Sequence, residues 1–189
     1  MPIFARMQLT VVTNIGTAQQ FIKVAVQLYK NDPNWIQPLD KDINDTFDKK
    51  KNKAWRFGEA IRWILKDEKG NLLGRIAAFT NKKYRNKGDD IAIGGIGFFE
   101  CINNQDAANM LLDKAKEWLQ QHGMQAMDGP INFGERDKCL KTSIRNFVFK
   151  NFASHVLFIG NNMITGQNGY SFSKEMDFAC ISKIFFTSS

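Results

Sequence analysis

The sequence predicts an α+β fold, a mixed sheet whose first strands are antiparallel, followed by a strand that feeds a long helix and by a parallel strand beyond it. Three observations carry this. Met7 to Thr13 (MQLTVVT), Glu59 to Lys66 and Leu72 to Thr80 have strand character, the last two joined by the turn-forming run Asp67-Glu68-Lys69-Gly70-Asn71. The run Ile91 to Ile102 (IAIGGIGFFECI) is rich in β-branched and aromatic residues and too rich in glycine for a helix. Ala107, Met110, Leu111, Ala115, Trp118, Leu119 and His122 then recur at helical spacing, with Asp113, Lys114, Lys116, Glu117 and Gln120 on the other face.

The other elements follow in chain order. Thr17 is expected to open a helix, with Gln20 completing a capping box and Phe21, Val24, Ala25 and Leu28 forming the buried stripe. Asp32-Pro33 closes it. Asn34 to Leu39 (NWIQPL) is too proline-marked for a helix and reads as a connector that pins Trp35 and Ile36 to a surface. Asp40 to Phe47 reads as a second short helix. In the central strand, Gly94, Gly95 and Gly97 imply a bulge or another group lying against the backbone. Asp106 is expected to cap the central helix and Gly123 to stop it. Gln125 to Ile131 (QAMDGPI) is the next strand, parallel to the central one through a right-handed crossover.

A chain of 189 residues suits one domain with a real core, or one domain plus a tail. Hydrophobic content of 43% and charge of 24% exclude disorder. No apolar run reaches the ~18 residues of a membrane span, and Met1 to Thr10 lacks the charged start and apolar stretch of a signal peptide. No membrane association and a cytoplasmic location are therefore expected. Cys101, Cys139 and Cys180 are odd in number and scattered, and only His122 and His155 accompany them. That pattern fits reduced thiols and no metal site. The net charge of +7 gathers at Lys49, Lys50, Lys51, Lys53 and Arg56, then at Lys82, Lys83, Arg85 and Lys87. These runs either invite an anionic partner, nucleic acid or a phosphate-bearing cofactor, or are solvated loop charges.

Chemistry is expected at the joint between the central strand and its helix. A buried strand that enters a helix through a short polar turn (NNQD) leaves free backbone N–H groups where the peptide dipoles sum to partial positive charge. Such a place can hold an anion.

The order of elements resembles the GNAT-type N-acyltransferases. The strings LYKNDPNWIQPL (Leu28 to Leu39), FDKKKN (Phe47 to Asn52), LLGRIAA (Leu72 to Ala78), GFFE (Gly97 to Glu100) and GPINFGERD (Gly129 to Asp137) look like a little-characterised bacterial branch of that superfamily. The likeness covers about residues 7 to 138. It implies a GNAT-like domain over 1–138 that binds acetyl-CoA as cosubstrate, with the pyrophosphate at Cys101, Ile102, Asn103, Asn104, Gln105, Asp106, Ala107 and Ala108. The superfamily's loop is written [QR]-x-x-G-x-[GA], and its three marked positions fall on Asn103, Asp106 and Ala108. Ala108 fits. Asp106 replaces the glycine, and its carboxylate is expected to occupy the helix amides, repel phosphate and weaken the site.

Acyl transfer to an amine needs a base and an electrophilic hold on the thioester oxygen. Glu100, at the end of the central strand, occupies a region from which some members of the superfamily supply a glutamate base, and backbone N–H groups around Cys101 and Ile102 could polarise the carbonyl. Alternatively, Glu100 only pairs with a lysine or caps the strand end. A Cys101 nucleophile lacks a nearby histidine in sequence, and His122 reads as a partner of the helix C-terminus.

From Cys139 onwards the chain changes character, holding half of its 16 phenylalanines. Residues 139–189 either complete the same domain, with a helix over 140–152 and strands over 153–159 and 178–186, or form an out-of-frame or substituted ending in which Tyr170 sits in a polar loop. Three functions stand together at this stage: an N-acetyltransferase acting on an unidentified amine, a catalytically silent binding module of the same fold, and a basic nucleic-acid-binding protein, for which no recognised motif is present.

Overall fold

The structure, a computed structural model, describes residues 6–83, 91–129, 131, 133–134, 170–173 and 182–186. Its elements are β1 (Gln8–Val11), α1 (Ile15–Tyr29), α2 (Asp40–Phe47), a 3-10 turn (Lys53–Arg56), β2 (Ala60–Lys66), β3 (Leu72–Phe79), β4 (Ile93–Cys101), α3 (Gln105–Gln121), β5 (Ala126–Gly129), β6 (Tyr170–Ser173) and β7 (Ser182–Phe186). One sheet joins the strands in the order β1-β2-β3-β4-β5-β7-β6. The β4–β5 pair is parallel and the other pairs are antiparallel. This is the mixed α+β architecture that the sequence predicts.

Period-two alternation divides the core between the sheet's two faces. Trp63, Leu65, Ile76, Ala78, Ile96, Phe99 and Cys101 turn to α3 and meet Ala107, Leu111, Ala115 and Leu119. Ile64, Ala77 and Phe98 turn the other way, to Phe21, Ile22 and Val24 of α1 and Ile43 and Phe47 of α2. The three helices therefore lie where their apolar stripes demand.

Helix starts differ from expectation at two places, for one reason: a short asparagine side chain outcompetes the residue first read as the cap. Asn14 caps α1, its Oδ1 accepting from the Thr17 amide at 2.9 Å while Thr17 Oγ1 accepts from the Asn14 amide at 3.1 Å. Thr17 is thus the third helical residue of the box, and Gln20 instead accepts from Lys66 Nζ at 2.8 Å. Asn104, not Asp106, caps α3 through a 2.9 Å bond from the Ala107 amide. At the other end Gly123 takes φ +77°, its amide reaching Gln120 O at 2.9 Å and that of Met124 reaching Leu119 O at 3.0 Å. This pairing is a Schellman stop, so Gly123 acts as expected.

Three further outcomes concern the connector and the tail. Trp35 packs on Tyr29, with ring centroids 5.5 Å apart, but Ile36 is 70% exposed and is not pinned. Tyr170 opens β6 opposite Phe186 rather than sitting in a loop, because a long-range partner strand supplies the pairing that local composition does not announce. The strand expected over 178–186 contains β7, whereas the helix over 140–152 and the strand over 153–159 lie outside the described residues.

The glycines of β4 are explained by close approach. A Cβ on Gly94 would stand 2.3 Å from Leu119 Cδ2, one on Gly95 2.2 Å from Phe79 Cε2, and one on Gly97 2.2 Å from the carbonyl oxygen of Ile131. The last neighbour is backbone and has little freedom to move. Gly97→Ala should therefore lower stability by about 1–3 kcal/mol or more, read as a lower urea midpoint at unchanged slope. Gly70→Ala meets no neighbouring atom within 4 Å, so its cost is set by its positive φ alone and is the control.

Candidate functional site

The site forms where β4 loses a neighbour. Pairing with β5 runs through Ile93–Ala126, Gly94–Met127 and Gly95–Asp128, and a 2.9 Å bond from the Ile131 amide to Ile96 O is the last link. The chain then turns away, Phe133 O accepting from Asn52 Nδ2 at 2.8 Å. Among the described residues the Ile131–Ile96 bond is the last backbone link between β4 and the chain that follows β5.

At the same level β4 is bulged. Arg75 pairs with Glu100 but Ala77 with Gly97, so Phe98 and Phe99 together oppose Ile76. Phe98 absorbs the extra residue at φ +53°, a conformation that costs a bulky side chain about 1–3 kcal/mol. Aromatic packing offsets part of this, since the Phe98 ring lies 5.8 Å from that of Phe21 and 5.3 Å from that of Phe47.

Beyond the bulge, Glu100, Cys101, Ile102 and Asn103 line a cleft of ≈ 190 Å³ together with Leu28, Tyr29 and Phe99. Glu100 is 8% exposed and lies under α1, its Oε2 2.5 Å from Nε of Arg75, itself 3% exposed. Arg75 also donates to Phe21 O at 2.8 Å, and its guanidinium lies 4.9 Å from the Phe21 ring. A bonded, stacked pair of this kind avoids the cost of an isolated buried charge. The partner of Glu100 is thus an arginine and not the lysine that the alternative reading named, an arginine that stands within the apolar strand LLGRIAAF.

The joint itself is short and already part-satisfied. The Ile102 amide donates to Leu73 O at 2.8 Å and the Asn104 amide to Ile102 O at 2.7 Å. Ala107 and Ala108 are buried against the core, and Asn104 takes both their amides, with its side chain and its carbonyl. Among the described residues the amides left at the helix start are those of Gln105 and Asp106, the first two helical positions. Asp106 is exposed there, and its carboxylate does not occupy the capping amide as expected.

Other candidate residues lie elsewhere. His122 ends α3, its Nδ1 2.7 Å from Trp118 O and its ring stacked on that of Trp118 at 3.9 Å. Lys53–Arg56 leads into β2, and the Lys82 amide bonds Phe57 O at 2.8 Å. With Ala60 opposite Phe79 and Phe79 opposite Gly95, Lys53–Arg56 and Lys82 adjoin the end where β4 begins, while Lys49 to Lys51 follow Phe47, whose ring packs on that of Phe98. Among the described residues no group of three His, Cys, Asp or Glu could hold a metal, and no helix is long and apolar enough to cross a membrane.

No family model matches the chain. It is 28% identical to Protein YghO of Escherichia coli K12 over 124 residues, which are 63% of this chain and 30% of that protein, so the match spans under a third of its relative. In structure it is similar to an acetyltransferase of the GNAT family from Staphylococcus aureus Mu50, at TM-score 0.53 and 14% identity, covering 95% of this chain and 98% of that one. A tandem GNAT protein from the clavulanic acid biosynthesis pathway matches at TM-score 0.52 and 11% identity, over 89% and 55% of the two chains. An acetyltransferase from Streptococcus agalactiae 2603 matches at 0.50 and 13%, over 94% and 96%. At such identities the likeness concerns the fold, which is that of the GNAT-type N-acyltransferases.

The Cys101 thiol is 9% exposed, and burial, with a smaller push from the neighbouring Glu100, raises its pKa from 9.0 to about 12. It stays protonated at neutral pH and offers no thiolate nucleophile. Because the folded value exceeds the unfolded one, this thiol's contribution to stability is complete below pH 9.0 and is lost as pH rises toward 12. Alkylation of Cys101 by iodoacetamide at pH 8, followed by peptide mass spectrometry, should occur only with the denaturant unfolding transition; rapid labelling of the folded chain would contradict it.

Proposed function

We propose that this chain is an acyl-CoA-dependent N-acyltransferase that takes acetyl-CoA at the β4–α3 joint and moves the acetyl group to an amine entering through the cleft beside Glu100. One observation carries the reading: the parting of β5 from β4, the Phe98 bulge and the start of α3 coincide at one end of β4. A slot between two parting parallel strands offers backbone groups to an extended thioester arm, and the first amides of α3 suit a pyrophosphate.

The chemistry divides among named groups. The Gln105 and Asp106 amides would receive pyrophosphate oxygens, while the exposed Asp106 carboxylate opposes them at short range. A backbone N–H of β4 facing the cleft would polarise the thioester oxygen, since the Ile102 amide is already bonded to Leu73 O. Arg75 holds Glu100 Oε2, leaving Oε1 to accept a proton from the acceptor. The amine nitrogen attacks the thioester carbon, the C–N bond forms, the C–S bond breaks, and the coenzyme leaves as a thiol carrying the displaced proton.

The Arg75–Glu100 pair also favours a second reading, a silent module in which Glu100 serves only to neutralise Arg75. Calorimetric titration separates the possibilities. The unaltered chain should bind acetyl-CoA, and Asp106→Asn should tighten binding roughly two- to fivefold, the range for one charge at a helix start. Absence of binding by both folded proteins would refute the coenzyme reading.

Turnover decides between the two roles of Glu100. Glu100→Gln keeps an acceptor for Arg75 and should lower kcat by about 100-fold or more with unchanged acetyl-CoA affinity. A melting curve run alongside checks that the fold survives. Coenzyme binding with no transfer by the unaltered chain across a broad amine panel would support the silent module.

A further inference from the structure

We infer that Arg62 binds a carboxylate, at a site apart from the β4–α3 joint. Arg62 has no part in the acyl-transfer reading, so the two stand or fall separately. From β2 it reaches the face of the sheet covered by α1 and α2, where its guanidinium lies 4.1 Å from the centroid of the Phe47 ring and 5.3 Å from that of Phe21. The residue is half-buried, yet its Nη1 is closed off from water and meets no hydrogen-bond acceptor among the described residues. Stacking on a ring satisfies the face of a guanidinium, whereas its N–H donors point outward in the plane. Arg75 is the internal comparison. Its guanidinium stands 4.9 Å from the same Phe21 ring, and there Glu100 Oε2 and Phe21 O accept from the plane. Arg62 has the rings and lacks the oxygens. No opposite charge compensates it, since burial alone lowers its pKa to about 10, and the group stays charged at neutral pH.

Position and charge narrow the occupant. Arg62 pairs with Ala77 and Ala77 with Gly97, and directly paired residues share a face, so the row running from Arg62 to β4 carries only small side chains. That row ends one residue past Ile96, whose carbonyl is the last link to the chain after β5. The unmet guanidinium therefore stands level with the place where β4 and β5 part. A planar carboxylate matches the guanidinium fork and brings one negative charge for one cation. A phosphate monoester, at about −1.5 to −2, brings more negative charge than this guanidinium balances. A neutral polar group leaves the charge itself uncompensated. The carboxylate belongs either to the amine acceptor or to a separate small acid, and the two sources differ in whether an amine on the same molecule adds affinity.

The test is titration of the full chain and of an Arg62→Met variant with butyrate, 4-aminobutyrate, butylamine and inorganic phosphate at constant ionic strength, followed by ligand NMR so that weak affinities are read. Both carboxylates should bind the unaltered chain, and the variant should bind them at least about tenfold more weakly, the loss expected for a charge-assisted bond. Butylamine should not distinguish the two proteins. Tighter binding of 4-aminobutyrate than of butyrate puts the carboxylate on the acceptor, and equal binding makes it a separate acid. Arg62→Met should melt at or above the unaltered chain, because methionine packs on the rings and removes a desolvated charge that makes no bond. Arg62→Lys keeps the charge without the fork and should bind both carboxylates severalfold more weakly, which decides the matter should the methionine variant not fold. Unchanged carboxylate affinity in either folded variant would overturn the inference. So would absence of carboxylate binding by the unaltered chain, or phosphate binding there more tightly than both carboxylates.

Discussion

Strand β4 is under two demands that a regular strand cannot meet together, and most of the molecule is arranged around the compromise. It must be covered on both faces and pair with β5 in its first half, then line the cleft in its second. Three glycines meet the first demand by letting Leu119, the Phe79 ring and the Ile131 carbonyl approach the backbone more closely than any side chain would allow. The bulge at Phe98 meets the second by shifting the register, so that the strand's last residues are re-aimed toward the cleft and the start of α3. The strained conformation of Phe98 persists because Phe21 and Phe47 pack on its ring from two different helices.

The buried pair Arg75–Glu100 links this strand to α1. Two charges at 3% and 8% exposure would be expensive if either stood alone, and together they fill bonds that helix and strand geometry leave open. Arg75 ties β3 to α1 through Phe21 O, and Glu100 ties β4 to β3. A pair of this kind is a poor source of net stability but a strong constraint on position. It holds the carboxylate at the cleft in one place, which any proton transfer there requires.

Much of this was legible before the structure. Helical spacing from Ala107 to Leu119 and the glycine-broken run before it announced α3 and β4, because both signals are local. The Asp67–Asn71 turn was legible for the same reason, with Asp67 accepting from the Lys69 and Asn71 amides. The caps were misread by two or three residues, since Asn14 competes with Thr17, and Asn104 with Asp106, in geometries that composition does not rank. Arg75 escaped notice because its partner lies 25 residues away on another strand. Tyr170 stands in a strand and not in the loop that the substituted-ending alternative gave it, because its neighbour in the sheet, like every long-range pairing, leaves no local mark.

The distribution of charge limits how the joint can hold an anion. The net charge of +7 suggests a general attraction for phosphate, yet among the described residues Lys53–Arg56 and Lys82 adjoin the end where β4 begins. Other lysines of the two runs are partly engaged: Lys51 bonds Asp45, and Lys83 lies over the Phe57 ring at 3.6 Å. What remains at the joint is backbone, two amides and the dipole of a long helix, opposed by the carboxylate of Asp106. Those amides are fixed by the Asn104 cap and the buried Ala107 and Ala108, so their geometry does not depend on Asp106. The geometry of the helix start is therefore set by Asn104 and the buried alanines and not by the exposed Asp106 beside it.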